Sequence, residues 1–86
     1  MRQEIEFFAK NMDSIITFKT ARKGEWRNYD TKYFKEKLTE EYAEVIEAFK
    51  RYKKGECNKD IVMGEITDLA NICMMLFTLF DEKENV

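Results

Sequence analysis

The sequence predicts an all-α fold built from three helices, and three observations carry that expectation. The chain holds no proline and only three glycines. No stretch alternates apolar and polar residues as a half-buried strand does. Apolar side chains instead recur at helical spacing between two short breaks marked by Gly, Asn and Asp. At 86 residues it reads as one domain, 1–86, near the size at which a lone chain struggles to bury enough surface, so self-association is expected.

The first helix is expected from about Gln3 to Thr20, with Ile5, Phe8, Met12, Ile15 or Ile16, and Lys19 marking successive turns as an apolar stripe. The stretch ARKGEWRNYD then breaks the period at Gly24, Asn28 and Asp30 and reads as a basic, aromatic-bearing connection. Asp30 or Thr31 is the expected N-cap of a second helix reaching about Lys54, where Lys50, Arg51, Lys53 and Lys54 suit the negative end of the helix dipole and Gly55 suits the C′ position. Asn58 caps a third helix that carries Asp60 in its first turn and runs to about Phe80. The tail DEKENV is polar and expected to fray.

Composition narrows function. A net charge of −2 and a pI near 5.2 leave no general basic surface for a nucleic-acid backbone, so no polymer of that kind is the expected partner. Cys57 and Cys73 form neither a metal-ligand spacing nor a disulfide framework and read as reduced thiols of a cytoplasmic protein. No secretion signal is visible in the first twenty residues. The longest apolar run, Leu69 to Phe80, is interrupted by Asn71 and Thr78 and is too short for a bilayer, so a soluble chain is expected.

Placing residues around each helix at about 100° per residue singles out four acids. With Leu38 as origin, Phe34, Tyr42, Val45, Phe49 and Tyr52 fall within roughly 40° and define the expected buried arc; Glu41 lies about 60° away and Glu44 about 120°. Glu40 and Glu47 fall on the opposite, solvated side. On the third helix, with Leu69 as origin, Val62, Ile66, Cys73, Leu76 and Phe80 lie within about 60°, Glu65 at about 40° and Asp68 at about 100°, on the side of Ile72 and Leu79. Each helix thus carries an acid pair at i, i+3, and antiparallel packing would face the pairs. Carboxylates near a core must be protonated, paired or metal-bound. A histidine-free oxygen cluster favours Mg²⁺, or Mn²⁺, over Zn²⁺ and excludes a Glu-x-x-His di-iron bundle. In a chain with seventeen acids, rim salt bridges remain the alternative.

The segments KLTEEYAEVIEAF and GEITDLANICMML resemble the MazG-like all-α nucleoside triphosphate pyrophosphohydrolases, of the small phage and bacterial type. Their Glu-x-x-Glu, spacer, Glu-x-x-Asp signature corresponds here to Glu41, Glu44, a twenty-residue gap, Glu65 and Asp68, with GEW upstream and the resemblance covering about Gly24 to Leu79. It implies a three-helix subunit whose four-helix-bundle-like core is completed in a homodimer or homotetramer. It also implies hydrolysis of a (deoxy)nucleoside triphosphate between the α and β phosphates, with Mg²⁺ held by the four acids. Glu41, turned inward, is then the candidate general base.

Four further residues are substrate-binding candidates. Trp26 resembles an aromatic position that stacks on the nucleobase in some relatives, or else packs against the next helix. Asn71 is placed to hydrogen-bond sugar or base, or to serve as a buried interface amide. Lys37 and Arg51 are on the Glu41 side of the second helix and reach phosphate oxygens, or pair with neighbouring acids. Met74 and Met75 read as core or interface packing. The competing readings are a non-catalytic helical dimerisation or adaptor module, in which Glu41 and Glu65 find basic partners, and a nucleotide-binding sensor that has lost activity.

Overall fold

The computed structural model describes residues 1–82, and these form an all-helical structure. Helix α1 spans Gln3–Lys23, a 3₁₀ turn Trp26–Asn28, α2 Thr31–Lys53 and α3 Lys59–Glu82. Helix α1 runs one turn beyond the expected Thr20, because Ala21, Arg22 and Lys23 are good helix formers and the two cations sit at the negative end of the dipole. It stops at Gly24, whose φ of 84° is open to glycine and whose N–H reaches Thr20 O at 2.9 Å.

The remaining ends follow the expected chemistry. The Asp30 carboxylate, not Thr31, caps α2 by accepting from Tyr33 N at 2.9 Å. Gly55 at φ 75° closes α2, with Glu56 N bonded to Arg51 O and Gly55 N to Tyr52 O, the paired bonds of a Schellman motif. Asn58 caps α3 by accepting from Ile61 N at 3.2 Å. Asp81 and Glu82, expected to fray, still belong to α3, and Glu82 is gripped by Arg27 at 2.9 Å. The rest of the expected frayed tail lies outside the described residues.

The short turn after Lys53 folds α3 back along α2, so Phe34 near the start of α2 meets Met75 and Leu79 near the end of α3. Trp26, Tyr33 and Ile16 pack onto that cluster, bringing the connection and α1 against the same end. The buried positions of α2 are Phe34, Glu41 and Ala48, spaced by seven, a seam that puts an acid midway between two apolar residues. On α3 the buried positions are Val62, Thr67, Asn71, Met75 and Leu79.

Both helices are therefore rotated from the phase expected of them. On α2, Tyr42, Phe49 and Tyr52 face outward; on α3, Ile66, Cys73 and Phe80 do so. No residue of α1 is buried, and its stripe is half covered at Met12, Ile15 and Ile16 and open at Ile5 and Phe8. The expected arcs were centred on the most apolar side chains, whereas the chain packs its smaller and polar ones (Ala48, Thr67, Asn71) into the seam between helices. Small side chains let helix axes approach closely. What remains is a set of exposed aromatic side chains on α2 and α3, Phe77 being 74% and Phe80 59% exposed.

By length and composition α3 passes as a membrane span, with a mean hydropathy of 1.4 over its most apolar window, although its longest uninterrupted run is short. Core helices of soluble proteins pass the same test, and Glu65 and Asp68 stand near the middle of α3, where hydrocarbon would penalise them.

The seam fixes where substitution should hurt. Phe34→Ala is expected to cost about 3–5 kcal/mol, the range for emptying a core phenylalanine site, and to unfold much of the population. Phe77→Ser should change intrinsic stability by less than about 0.5 kcal/mol. Urea denaturation of the two variants under identical conditions checks the contrast.

Candidate metal centre and ligand cleft

Glu41 occupies the middle of the α2 seam and is 9% exposed. Glu44, one turn on, sits at the exposed rim, while Glu65 and Asp68 are half-buried on the facing helix. Glu41, Glu44 and Glu65 each offer a carboxylate oxygen within 4.8 Å of the others. The Oε2 atoms of Glu41 and Glu65 are both buried and without a hydrogen-bond partner. An unsatisfied buried oxygen on an ionised group is among the costlier arrangements in a protein interior.

The electrostatics register that cost. Burial pushes the Glu41 carboxyl from its ordinary 4.5 up to about 7, helped by the Glu44 carboxylate within hydrogen-bonding reach and by the negative charge of Asp68. Burial raises Glu65 in the same way, with Glu44 and Asp68 again adding to it. In both cases the opposing influence is the Lys19 ammonium. Its Nζ lies 3.2 Å from Asp68 Oδ1 and ties α1 to α3.

This oxygen set suits a hard divalent cation. Opposite ligands in a Mg²⁺ shell stand about 4.2 Å apart, so carboxylates already this close need only small side-chain adjustments. The two orphaned Oε2 atoms are the acceptors such an ion would satisfy, and no thiol or imidazole competes for softer metals.

Beside the acids opens a cleft of about 100 Å³, below the usual volume of small-molecule sites. Glu41 and Asp68 stand on its wall, Trp26, Tyr33 and Phe34 form its aromatic part, and Lys19 and Lys23 of α1 lie along it. Trp26 meets Phe34 edge-to-face at 6.1 Å and carries the Arg27 guanidinium over its ring at 4.4 Å. Tyr29 and Tyr33 stack with centroids 4.4 Å apart.

The residues singled out by sequence fare differently. Trp26 packs on the first turns of α2 and lines the cleft, so both readings of it hold geometrically. Asn71 is 4% exposed and donates from Nδ2 to Met12 O at 3.2 Å, the role of a buried interhelical amide, though its Oδ1 stays buried and unpartnered at the cleft wall. Lys37 lines the cleft but is held by Glu40 at 3.1 Å, the intrahelical pairing. Arg51 is exposed and takes no part in the cleft; it stands seven residues past Glu44, about 10 Å along the axis. Met75 is core, and Met74 packs against it.

Sequence reasoning missed Lys19, Lys23, Tyr29 and Tyr33. Lys19 had been placed on the apolar stripe of α1, and the i, i+4 spacing of Lys19 and Lys23 was the available signal that both point to one side. In comparison with known proteins, no family model matches the chain and neither a curated protein nor a solved structure matches it significantly.

A raised acid sets the sign of the pH dependence. Glu41 titrates near 4.5 unfolded and about 7 folded, so the folded state holds a proton that the unfolded state has released between those values. Stability present below that window is lost as pH rises through it. The metal-free protein should therefore melt higher at about pH 5 than at about pH 8, by roughly 1 kcal/mol, since the open Glu44 side screens the cluster. Glu41→Gln should flatten the difference, as read from Tm against pH in EDTA.

Proposed function

We propose that the protein is a Mg²⁺-dependent nucleotide pyrophosphohydrolase of the MazG-like kind, cleaving a (deoxy)nucleoside triphosphate between the α and β phosphates to the monophosphate and pyrophosphate. The observation that carries this reading is the pair of buried, unpartnered carboxylate oxygens on Glu41 and Glu65, set beside a cleft with an aromatic end and a lysine-bearing wall. A helical adaptor module would seat those acids against cations. Among the described residues neither forms an ion pair.

The division of labour follows from position. Glu41, Glu44 and Glu65 hold the ion, and Asp68 joins them once its oxygen is free of Lys19. Mg²⁺ bound there supplies neutralisation of the phosphate chain and acidifies a neighbouring water. Glu41 is the general base, because it is the deepest of the four acids and its inward position can orient a water. Trp26 and Tyr33 receive the planar base at the far end of the cleft, and Asn71 stands between base and acids, where a sugar lies. The exposed aromatic faces of α2 and α3 are closed in a homodimer or homotetramer that completes the bundle, in a cytoplasmic setting with no membrane and no nucleic-acid polymer involved.

Pyrophosphate release from a panel of purine and pyrimidine nucleoside and deoxynucleoside triphosphates, with Mg²⁺ and with EDTA, tests the reading. Release that needs metal, falls about 10²–10⁴-fold in Glu41→Gln and persists in Glu47→Gln is expected. Mg²⁺ should also raise Tm in the wild type and in Glu47→Gln, and much less in Glu65→Gln. A folded protein with no release from any nucleotide and a Tm indifferent to Mg²⁺ would sink the proposal.

A further inference from the structure

Lys19 is the one cation among the described residues that forms an ion pair with any of the four motif acids. It reaches Asp68 from across the helix interface, its side chain is 46% exposed, and no other hydrogen bond holds its ammonium. Lys23 follows one turn later on the same side of α1, lines the same cleft and makes no ion pair. Lys19, Lys23, Glu41 and Asp68 thus all border one cleft, with Lys19 already in contact with Asp68.

If Asp68 joins Glu41, Glu44 and Glu65 around a divalent ion, as the proposed function has it, that ion and the Lys19 ammonium would compete for its oxygen, because like charges repel strongly at such separations. A flexible, half-exposed lysine is free to turn away, and a polyphosphate offers the nearest new negative charge. We propose that Lys19 works in two positions: it neutralises Asp68 while the acidic cluster holds no divalent ion, and on loading it releases Asp68 and grips the phosphate chain of the nucleotide. The inference rests on the hydrolase reading above and adds to it a residue outside the four-acid signature. Lys19 positions the substrate and takes no proton in the reaction.

The two positions predict opposite effects of one substitution, which a merely structural tie between α1 and α3 does not. In Lys19→Met, the Mn²⁺ concentration that half-saturates the thermal shift, measured without nucleotide, should fall about three-fold as a competing surface-type ion pair is removed. At saturating Mg²⁺, KM for the preferred nucleotide should rise about 10- to 100-fold, the worth of a charged hydrogen bond to phosphate, with kcat changed less. Lys19→Arg should restore both values toward wild type. Lys19→Gln, which is shorter and loses the charge but keeps a polar end, is measured identically should the methionine variant not fold.

A neutral variant that binds Mn²⁺ no more tightly than wild type overturns the proposal, and so does one whose KM is unchanged, since both positions are required. Wild type is titrated first. Absence of any Mn²⁺-dependent stabilisation there would overturn the metal reading itself, an outcome separable from failure of the lysine variants alone.

Discussion

The structure turns on one carboxylate, Glu41, at the centre of the seam between α2 and α3. Phe34 and Ala48 flank it at seven-residue spacing and are 2% and 4% exposed, so the helix that buries them must carry Glu41 inward as well. Rotating α2 to release the acid would also withdraw Phe34 from Met75 and Leu79. Apolar contact at the ends of the seam therefore enforces a polar cost at its middle. The fold meets that cost by raising the Glu41 pKa to about 7, chiefly through burial, and by bringing Lys19 to Asp68.

Much of the fold could be read from the sequence because helix ends are local. Asp30, Gly55 and Asn58 act where their chemistry places them, each through a backbone group within five residues. Helix phase is not local. The stripes through Leu38 and Leu69 are the most apolar, and hydrophobicity alone turns them inward, yet Tyr42, Phe49, Ile66 and Phe80 are outward. The seam takes in Phe34, Met75 and Leu79 at one end and small or polar side chains (Ala48, Thr67, Asn71) along the rest, a choice that hydrophobicity alone does not make. The phase error did not displace the acids, because Glu41, on the shoulder of the expected arc, lies within the observed one, and Asp68 lies between the two arcs of α3.

The site was half legible for a related reason. Spacing within a helix put Glu41 beside Glu44 and Glu65 beside Asp68, and the return of α3 along α2 brought Glu65 to Glu41 and Glu44, while Asp68 pairs with Lys19 outside that cluster. Lys19 comes from 49 residues away in sequence, on a helix whose last turn was not expected. Nothing in the periodicity of α1 distinguishes a lysine that reaches an acid on α3 from one that ends in water. Trp26 and Asn71 show the converse: each was placed correctly near the site, but burial and bonding give each a structural duty as well.

That double duty ties stability to ligand occupancy. Asn71 joins α3 to the backbone of α1 and Lys19 bridges α1 to α3, so two of the polar links that hold α1 in place come from residues that line the cleft. Helix α1 buries no side chain of its own. With so little apolar anchorage, its position depends on polar links that a metal ion and a phosphate chain would rearrange or replace. On the proposed function, a cation in the cluster would satisfy the buried Glu41 and Glu65 oxygens, and an anion beside Lys19 and Lys23 would tie α1 further to the cleft. In a subunit this small, ligand binding and the seating of α1 draw on the same few groups, and α1 is the element whose order should respond first when the cleft fills.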